Sequence, residues 1–149
     1  MAAADFQTRV GTITEKVHEL ADLCYPDFDF RISYLTVFTQ SEEDLSTLKS
    51  ELQQIGQESE TNNGYKYTLS SPVNYSGEKV GVVRIRKPDV HRKELGCADL
   101  TYVQNDYDRL REIALDKGFD IIVRRDYEMI ELSDFNINVY AYLVKEKPS

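Results

Sequence analysis

Six basic residues are concentrated within ten positions of a chain whose formal net charge is −8. Arg84 and Arg86 are two positions apart in a predicted strand, so that both guanidinium groups lie on one face and can hold a single carboxylate or phosphate together. The other members of this stretch are Lys87, His91, Arg92 and Lys93. The stretch is therefore a candidate anion-binding site, and the alternative is a solvated connector that pairs with nearby acids.

Cys97 and Asp99 form a second candidate site, because alternate residues of a strand share one face. With Glu131 from a later predicted strand they could bind a divalent metal, since thiolate suits zinc, carboxylates suit harder ions, and three protein ligands leave an open position. A structural role for Cys97 and Asp99 is the alternative, and no other cofactor is expected. Catalysis by Cys97 would need a base that generates the thiolate, and the sequence offers only His18 and His91.

Tyrosines are the third class of candidate site residue. The chain has ten tyrosines and no tryptophan, and phenol rings with polar tips suit the wall of a binding pocket. Strand alternation assigns cavity-facing side chains, and it places Ser33 on the same face as Arg31. The predicted ligand-binding residues are Arg31, Tyr67, Arg84, Arg86, Asp99 and Tyr140. The expected partner is a small polar or anionic molecule, such as a nucleotide or an aromatic acid.

Composition and motifs exclude several classes of protein. A chain of 149 residues, with 41% hydrophobic and 30% charged residues, is long enough to bury its own core, and we expect a single domain over residues 1–149. Its acidic charge disfavours nucleic acid and anionic membrane surfaces as partners. The sequence contains neither an apolar run of the ~18 residues that cross a bilayer nor a Walker, GxGxxG or HExxH motif.

Cysteine usage and the first residues favour a cytoplasmic protein. Cys24 and Cys97 have no second pair nearby, which is typical of free thiols in a reducing compartment. The first twenty positions carry five charged side chains, which a secretory hydrophobic region would not contain. A homodimer is compatible with the sequence.

The first half of the chain is predicted to contain two helices and four strands. A strand is expected at 30–38, and Ser41 is the predicted N-cap of a helix that Gly56 closes. A hairpin turn at Asn62-Asn63-Gly64 and strands at 57–61, 65–71 and 79–87 complete this half. Apolar spacings of three and four predict an N-terminal helix whose buried stripe is Val10, Ile13, Val17, Leu20 and Leu23.

The second half repeats this order without the first helix. A strand is predicted at 97–103, and a helix follows, capped by Asn105 and ended by Gly118. Three strands are expected at 119–125, 128–133 and 138–145. The stretch Arg124-Arg125-Asp126-Tyr127-Glu128 is interpreted as a charged turn at the surface.

The predicted fold class is α+β, with two βαβββ modules forming a curved mixed sheet or half-barrel and an added N-terminal helix. The segments are an N-terminal helical lead-in at 1–28, a first module at 29–88, a connector at 89–96 and a second module at 97–146. Two such modules leave helices on the outside of the sheet and a concave cavity inside. The alternative is an unrelated α+β domain whose elements fall in the same order.

Over residues 30–145 the doubled βαβββ order resembles the vicinal-oxygen-chelate superfamily, which includes glyoxalase and bleomycin-resistance proteins. The helical lead-in followed by Arg31-Ile32-Ser33 resembles the YecM-like branch of that superfamily. The phrase Gly96-Cys97-Ala98-Asp99-Leu100 is similar to the start of that branch's second module.

The resemblance implies a cavity that in many members holds a metal. Those members place a histidine at the start of each module's first strand and a glutamate or histidine on each last strand. The corresponding positions here are Arg31, Cys97 and the neighbourhood of Ala141, which are not such ligands. We therefore expect a small-molecule-binding protein, with a metal-dependent lyase, isomerase or dioxygenase as the alternative and a protein-interaction module as the third possibility; the residues do not decide whether the chain is an enzyme.

Overall fold

The computed structural model describes residues 5–75, 77–103 and 106–147. In this part of the chain, each half contains a strand, a helix and three further strands, and a helix precedes the first half, as the sequence predicts. The elements are α1 (Phe6–Cys24), β1 (Arg31–Phe38), α2 (Glu42–Gln53), β2 (Gly56–Thr61), β3 (Gly64–Tyr75), β4 (Glu78–Arg86), β5 (Gly96–Thr101), α3 (Tyr107–Lys117), β6 (Asp120–Val123), β7 (Tyr127–Asp134) and β8 (Ile137–Glu146).

All eight strands of the described residues belong to one curved, unclosed mixed sheet in the order β2-β3-β4-β1-β5-β8-β7-β6. Within each module the first and last strands are parallel, β1 with β4 and β5 with β8. The two modules meet where β1 and β5 pair antiparallel. This arrangement relates the modules by an approximate two-fold axis between β1 and β5, and the predicted fold class is confirmed.

The hydrophobic core lies between the three helices and one face of the sheet. Alternate residues of β1 and β5 point into it, with Leu35 and Val37 from β1 and Ala98 and Leu100 from β5 all buried. In α1 the predicted stripe is buried except for its last member, Leu23, which is 57% exposed. The reason is that the helix continues from Leu20 to Cys24 with a spacing of four, so that the buried Cys24 replaces Leu23 on the core side.

Two of the predicted helix signals are confirmed, and a third is wrong. The Ser41 hydroxyl accepts a hydrogen bond from the Asp44 backbone N–H at 3.0 Å, and Gly118 ends α3 in the left-handed region at φ 80°. Gly56 does not close α2, because the helix ends at Gln53 and Gly56 is already the first residue of β2. The predicted cap Asn105 lies outside the described residues.

Turn and thiol predictions also agree with the structure. The two-residue turn at 62–63 joins β2 to β3, with Thr61 paired to Gly64. Cys24 and Cys97 are both free thiols. Over residues 5–75, 77–103 and 106–147, no helix combines the length and apolar character needed to cross a membrane.

Candidate functional site

A register shift in β1 sets which of its side chains face the concave side of the sheet. Opposite β5, the pairing slips by one residue around Ser33, so that Tyr34 pairs with Asp99 and Thr36 with Cys97. Cross-strand partners share a face, and Tyr34 and Thr36 therefore join the two β5 residues on the concave face. The register shift, a bulge in β1, skips Ser33, the residue that alternation predicts for this face, and Ser33 lines a smaller depression beside Tyr34 and Asp99.

The concave face encloses a cavity of about 890 Å³. Its floor comes from the four central strands, which contribute Tyr34, Thr36, Arg84, Cys97, Asp99 and Tyr142. Basic side chains surround this floor, namely Arg86, Arg92, Arg124, Arg125 and Lys147. Asp126 and Glu146 also line the cavity. Among the described residues the lining therefore carries six cationic side chains and three carboxylates, in a chain whose net charge is −8.

The two modules supply different chemistry at equivalent places in the floor. In the first module the parallel pair of β1 and β4 presents Thr36 beside Arg84. In the second module the parallel pair of β5 and β8 presents Asp99 beside Tyr142. The side chains therefore do not follow the approximate symmetry of the backbone. The first module provides the guanidinium of Arg84 at the position where the second provides the phenol of Tyr142.

Arg84 is the cation at the centre of the floor. Its guanidinium carbon lies 4.5 Å from the centroid of the Tyr34 ring, a cation–π contact that orients the side chain. Its Nε is buried and has no hydrogen-bond partner among the described residues, where the side chain also forms no ion pair. A buried donor without a partner is costly, and a bound anion would satisfy it.

Asp99 and Cys97 are held in their protonated forms more strongly than usual. Burial raises the pKa of the Asp99 carboxyl, against the opposing effects of the Tyr34 hydroxyl and the Arg84 charge. Burial also raises the pKa of the Cys97 thiol to about 12. At neutral pH the thiol is therefore not ionised, and the nucleophilic role considered for Cys97 has no support in the structure.

The predicted metal ligands Cys97, Asp99 and Glu131 share the concave face but do not converge. Tyr142 lies in register between Asp99 and Glu131, and its hydroxyl donates to Glu131 Oε2 at 3.0 Å. Two strand spacings, roughly 10 Å, separate the backbones of the two acids. In the described part of the chain no three His, Cys, Asp or Glu side chains are grouped to hold a metal. This donor set does not fit the metal that the sequence resemblance implies.

Tyr67 is not in the cavity, contrary to the prediction. It points to the helix-covered face of β3, where it is fully buried in the core. Its hydroxyl donates to Glu58 Oε1 at 3.1 Å, on the side of the sheet that α2 covers. The prediction failed because alternation alone does not say which face of β3 is the inner one.

Arg31 and Tyr140 lie outside the cavity lining as well. The Arg31 guanidinium is 3.7 Å from Glu78 Oε1, beside α1. Tyr140 pairs with Cys97 on the concave side and packs near Arg92, whose guanidinium carbon is 5.6 Å from the ring centroid. Of the predicted ligand-binding residues, Arg84, Arg86 and Asp99 line the cavity.

Several residues that line the cavity are not identified by the sequence. Arg124 and Arg125 reach the cavity from the turn between β6 and β7, which was interpreted only as a surface turn. Lys147 joins them from the end of β8. Alternation along β8 could have identified Tyr142, because it follows Tyr140 on the same face. Tyr34 could not have been found in this way, because the bulge reverses the alternation in β1.

Comparisons with known proteins identify the fold but not the chemistry. No family model matches the chain, and no curated protein matches it. Among solved structures, structural genomics protein EC4020 is similar over 96% of this chain and 93% of its own, with a TM-score of 0.59 and 13% identity. At this identity the likeness shows the fold alone.

Members of the vicinal-oxygen-chelate superfamily are also among the similar solved structures. An extradiol ring-cleaving dioxygenase from B. fuscum has a TM-score of 0.47 and 12% identity, over 79% of this chain and 34% of its own. The fosfomycin resistance protein FosX from Listeria monocytogenes, complexed with Mn(II) and sulfate, has a TM-score of 0.28 and 13% identity, over 78% and 92%. These scores carry no conclusion about the chemistry of this chain.

Proposed function

We propose that this chain binds a small anionic molecule in its concave cavity, and that Arg84 is the central anion-binding residue. The observation that carries the proposal is the buried Arg84 Nε, a donor without a partner among the described residues, on the floor of the cavity. The surrounding charge supports it, because cationic side chains outnumber carboxylates two to one in the described lining of a strongly acidic protein.

Arg86 and Arg92 extend the positive charge around Arg84. Both are close enough to Cys97 to oppose, as charges, the rise in the pKa of its thiol. Arg86 is partly neutralised by Asp89, whose carboxylate oxygen lies 3.6 Å from Nη2. Arginine binds planar carboxylates and phosphates through paired hydrogen bonds, and a cavity wall of low dielectric strengthens these contacts relative to water.

The broader assignment is a cytoplasmic, vicinal-oxygen-chelate-like protein of the YecM-like type. The doubled βαβββ architecture and the phrases around Arg31 and Cys97 support the relationship, and the free thiols of Cys24 and Cys97 support a reducing compartment. Anion binding is proposed without a catalytic step, because fold likeness alone does not assign a reaction.

The test is calorimetric titration of the purified protein with sulfate and with benzoate. We expect saturable binding of at least one of these anions, and at least tenfold weaker binding to Arg84→Met. The matched control is Lys66→Met, since Lys66 pairs with Arg84 across β3 and β4 but does not line the cavity. Equal loss of affinity in both variants would show that only the net charge of the protein matters and that Arg84 has no special role. Absence of binding in the parent protein would overturn the proposal.

Metal dependence is tested on the same protein by thermal melting. A metal at about 100 times its dissociation constant would add roughly 2.7 kcal/mol to the free energy of unfolding. Because Cys97 is protonated and Tyr142 separates the two acids, we expect no shift with chelator or with Zn²⁺, Mn²⁺, Ni²⁺ or Fe²⁺. A fall in Tm with chelator, restored by one metal and lost in Asp99→Asn, would establish the metalloenzyme alternative.

A further inference from the structure

The cationic residues of the cavity form two clusters rather than one. The inner cluster consists of Arg84, Arg86 and Arg92, from β4 and the connector that follows it. The rim cluster consists of Arg124, Arg125 and Lys147, from the β6–β7 turn and the residue after β8. Both clusters line the same cavity, although they come from different modules.

The rim cluster is held in place by main-chain contacts. The Lys147 backbone N–H donates to the Asp126 carbonyl at 3.0 Å, and its Nζ donates to the Arg124 carbonyl at 2.5 Å. The Arg124 N–H in turn donates to the Tyr127 carbonyl at 2.8 Å. Within the described residues none of the three cations forms an ion pair. The turn is thus fixed. Lys147 Nζ and Arg124 Nη1 donate to main-chain carbonyls, which leaves their charges without a paired carboxylate, and Asp126 and Glu146 also line the cavity.

The distance between the two clusters can be estimated along strand β8. Arg92 packs over Tyr140 near the start of β8, and Lys147 directly follows its last residue. The seven residue-to-residue steps from Tyr140 to Lys147 correspond to roughly 24 Å of extended backbone. Long arginine and lysine side chains reaching inward shorten the distance that a ligand must span.

The surface between the clusters contains an apolar stretch among polar side chains. It is lined by Phe38 at the inner end, and by Met129 and Val144, which pair with each other across β7 and β8. Tyr127 adds an aromatic ring beside the rim cluster. A ligand with charge at one end only would leave either the apolar stretch or the rim cations in water.

We propose that the ligand is a two-ended anion, a molecule with a carboxylate or similar group at each end and an apolar or aromatic middle. This inference rests on the proposed anion-binding function and names its ligand class. One anionic group pairs with Arg84 in the inner cluster, the other with Arg124 and Arg125 in the rim cluster, and the middle lies against Met129 and Val144.

Linear dicarboxylates from succinate to suberate are the probes, each compared by calorimetry with the monocarboxylate of equal carbon number. We expect the advantage of the dicarboxylate to grow with chain length and to reach at least tenfold. The double variant Arg124→Gln/Arg125→Gln should abolish that advantage, and the affinity for the monocarboxylates should fall by a smaller factor than the affinity for the dicarboxylates. The control is Arg109→Gln, an exposed arginine of α3 that does not line the cavity.

The outcomes separate the two proposals. Equal binding of mono- and dicarboxylates, lost in Arg84→Met, would leave the anion-binding function in place and overturn the two-ended ligand. A dicarboxylate advantage that persists in the double rim variant would also overturn it. Absence of binding by every probe, or binding indifferent to Arg84→Met, would overturn the proposed function itself.

Discussion

Glu78 and Asp99 are two carboxylates of the same sheet with opposite surroundings. Glu78 is 3% exposed beside α1, where its Oε2 accepts from the Ile32 backbone N–H at 3.0 Å and its Oε1 lies 3.2 Å from His18 Nε2. Asp99 is half-buried on the concave face and belongs to no ion pair among the described residues. A carboxylate with ion-pair partners joins elements of the fold, whereas one that faces a cavity contributes its charge to the electrostatics of ligand binding.

The same contrast holds for the two faces of the whole sheet. The helix-covered face is packed with apolar side chains from all three helices, and the polar tip of Tyr67 is satisfied there by Glu58. The concave face carries the arginines and an unsatisfied buried donor. Stability should therefore depend on the first face and anion binding on the second, and substitutions on each face test this division.

The largest effect is expected from the core. Leu110 of α3 is fully buried, so Leu110→Ala should lower the free energy of unfolding by about 2–5 kcal/mol through lost burial and a cavity. The affinity of the folded protein for sulfate should not change. Chemical denaturation and calorimetry measure the two quantities. The control is Leu115→Ala on the same helix, because Leu115 is 59% exposed. If Leu110→Ala also lowered the affinity for sulfate, stability and anion binding would not depend on separate faces of the sheet.

A smaller loss of stability is expected at Glu78. Glu78→Ala removes the acceptor of the buried Ile32 N–H, and an unsatisfied buried donor costs about 1–3 kcal/mol. Glu78→Gln keeps an oxygen for that N–H and removes the charge facing His18 and Arg31, so it should cost less than Glu78→Ala. Equilibrium denaturation of both variants, with the exposed Glu60→Ala as control, checks this order. Equal stability of all three variants would contradict a structural role for Glu78.

The fold could be predicted from the sequence because its signals are local. Apolar periodicity, the Ser41 cap and the Gly118 stop each describe one element, and the repeated order of elements then indicates two modules. The prediction that Gly56 closes α2 was wrong because a glycine after a helix is equally compatible with the start of a strand. Here its missing Cβ leaves room for the Thr68 carbonyl, 2.7 Å from where a Cβ would lie.

The site residues could be predicted only where side chains alternate regularly between the two faces of a strand. Arg84, Arg86 and Asp99 were identified because β4 and β5 alternate without interruption at these positions. The bulge in β1 is not visible in the residue types, so Tyr34 was missed. The rim cluster depends on sheet curvature, which brings a turn distant in strand order to the same cavity as β4.

The smallest effect is expected at Asp99, and it has the opposite sign to that at Glu78. Burial raises the pKa of Asp99, so the folded state favours the protonated carboxyl more than the unfolded state does. The carboxyl's contribution to stability is complete below its unfolded pKa, near 4, and is lost as the pH rises through the folded value. Asp99→Asn should therefore slightly raise Tm at pH 7.

Sulfate binding gives the sharper measurement for Asp99, because sulfate remains a dianion throughout the range. As the pH falls from 7 towards the raised pKa of Asp99, the neighbouring negative charge disappears and affinity should increase by a few fold. Asp99→Asn should bind more tightly than the parent protein at pH 7 and show a flatter pH profile. Four groups surround this carboxyl, namely Tyr34, Arg84, Cys97 and Tyr142. Burial raises the pKa of the two tyrosines and of the cysteine, and the arginine stays protonated, so all four keep their charge state over this pH range. An unchanged pH profile in Asp99→Asn would show that the bound anion does not sense this carboxylate, and would move its site away from the floor of the cavity.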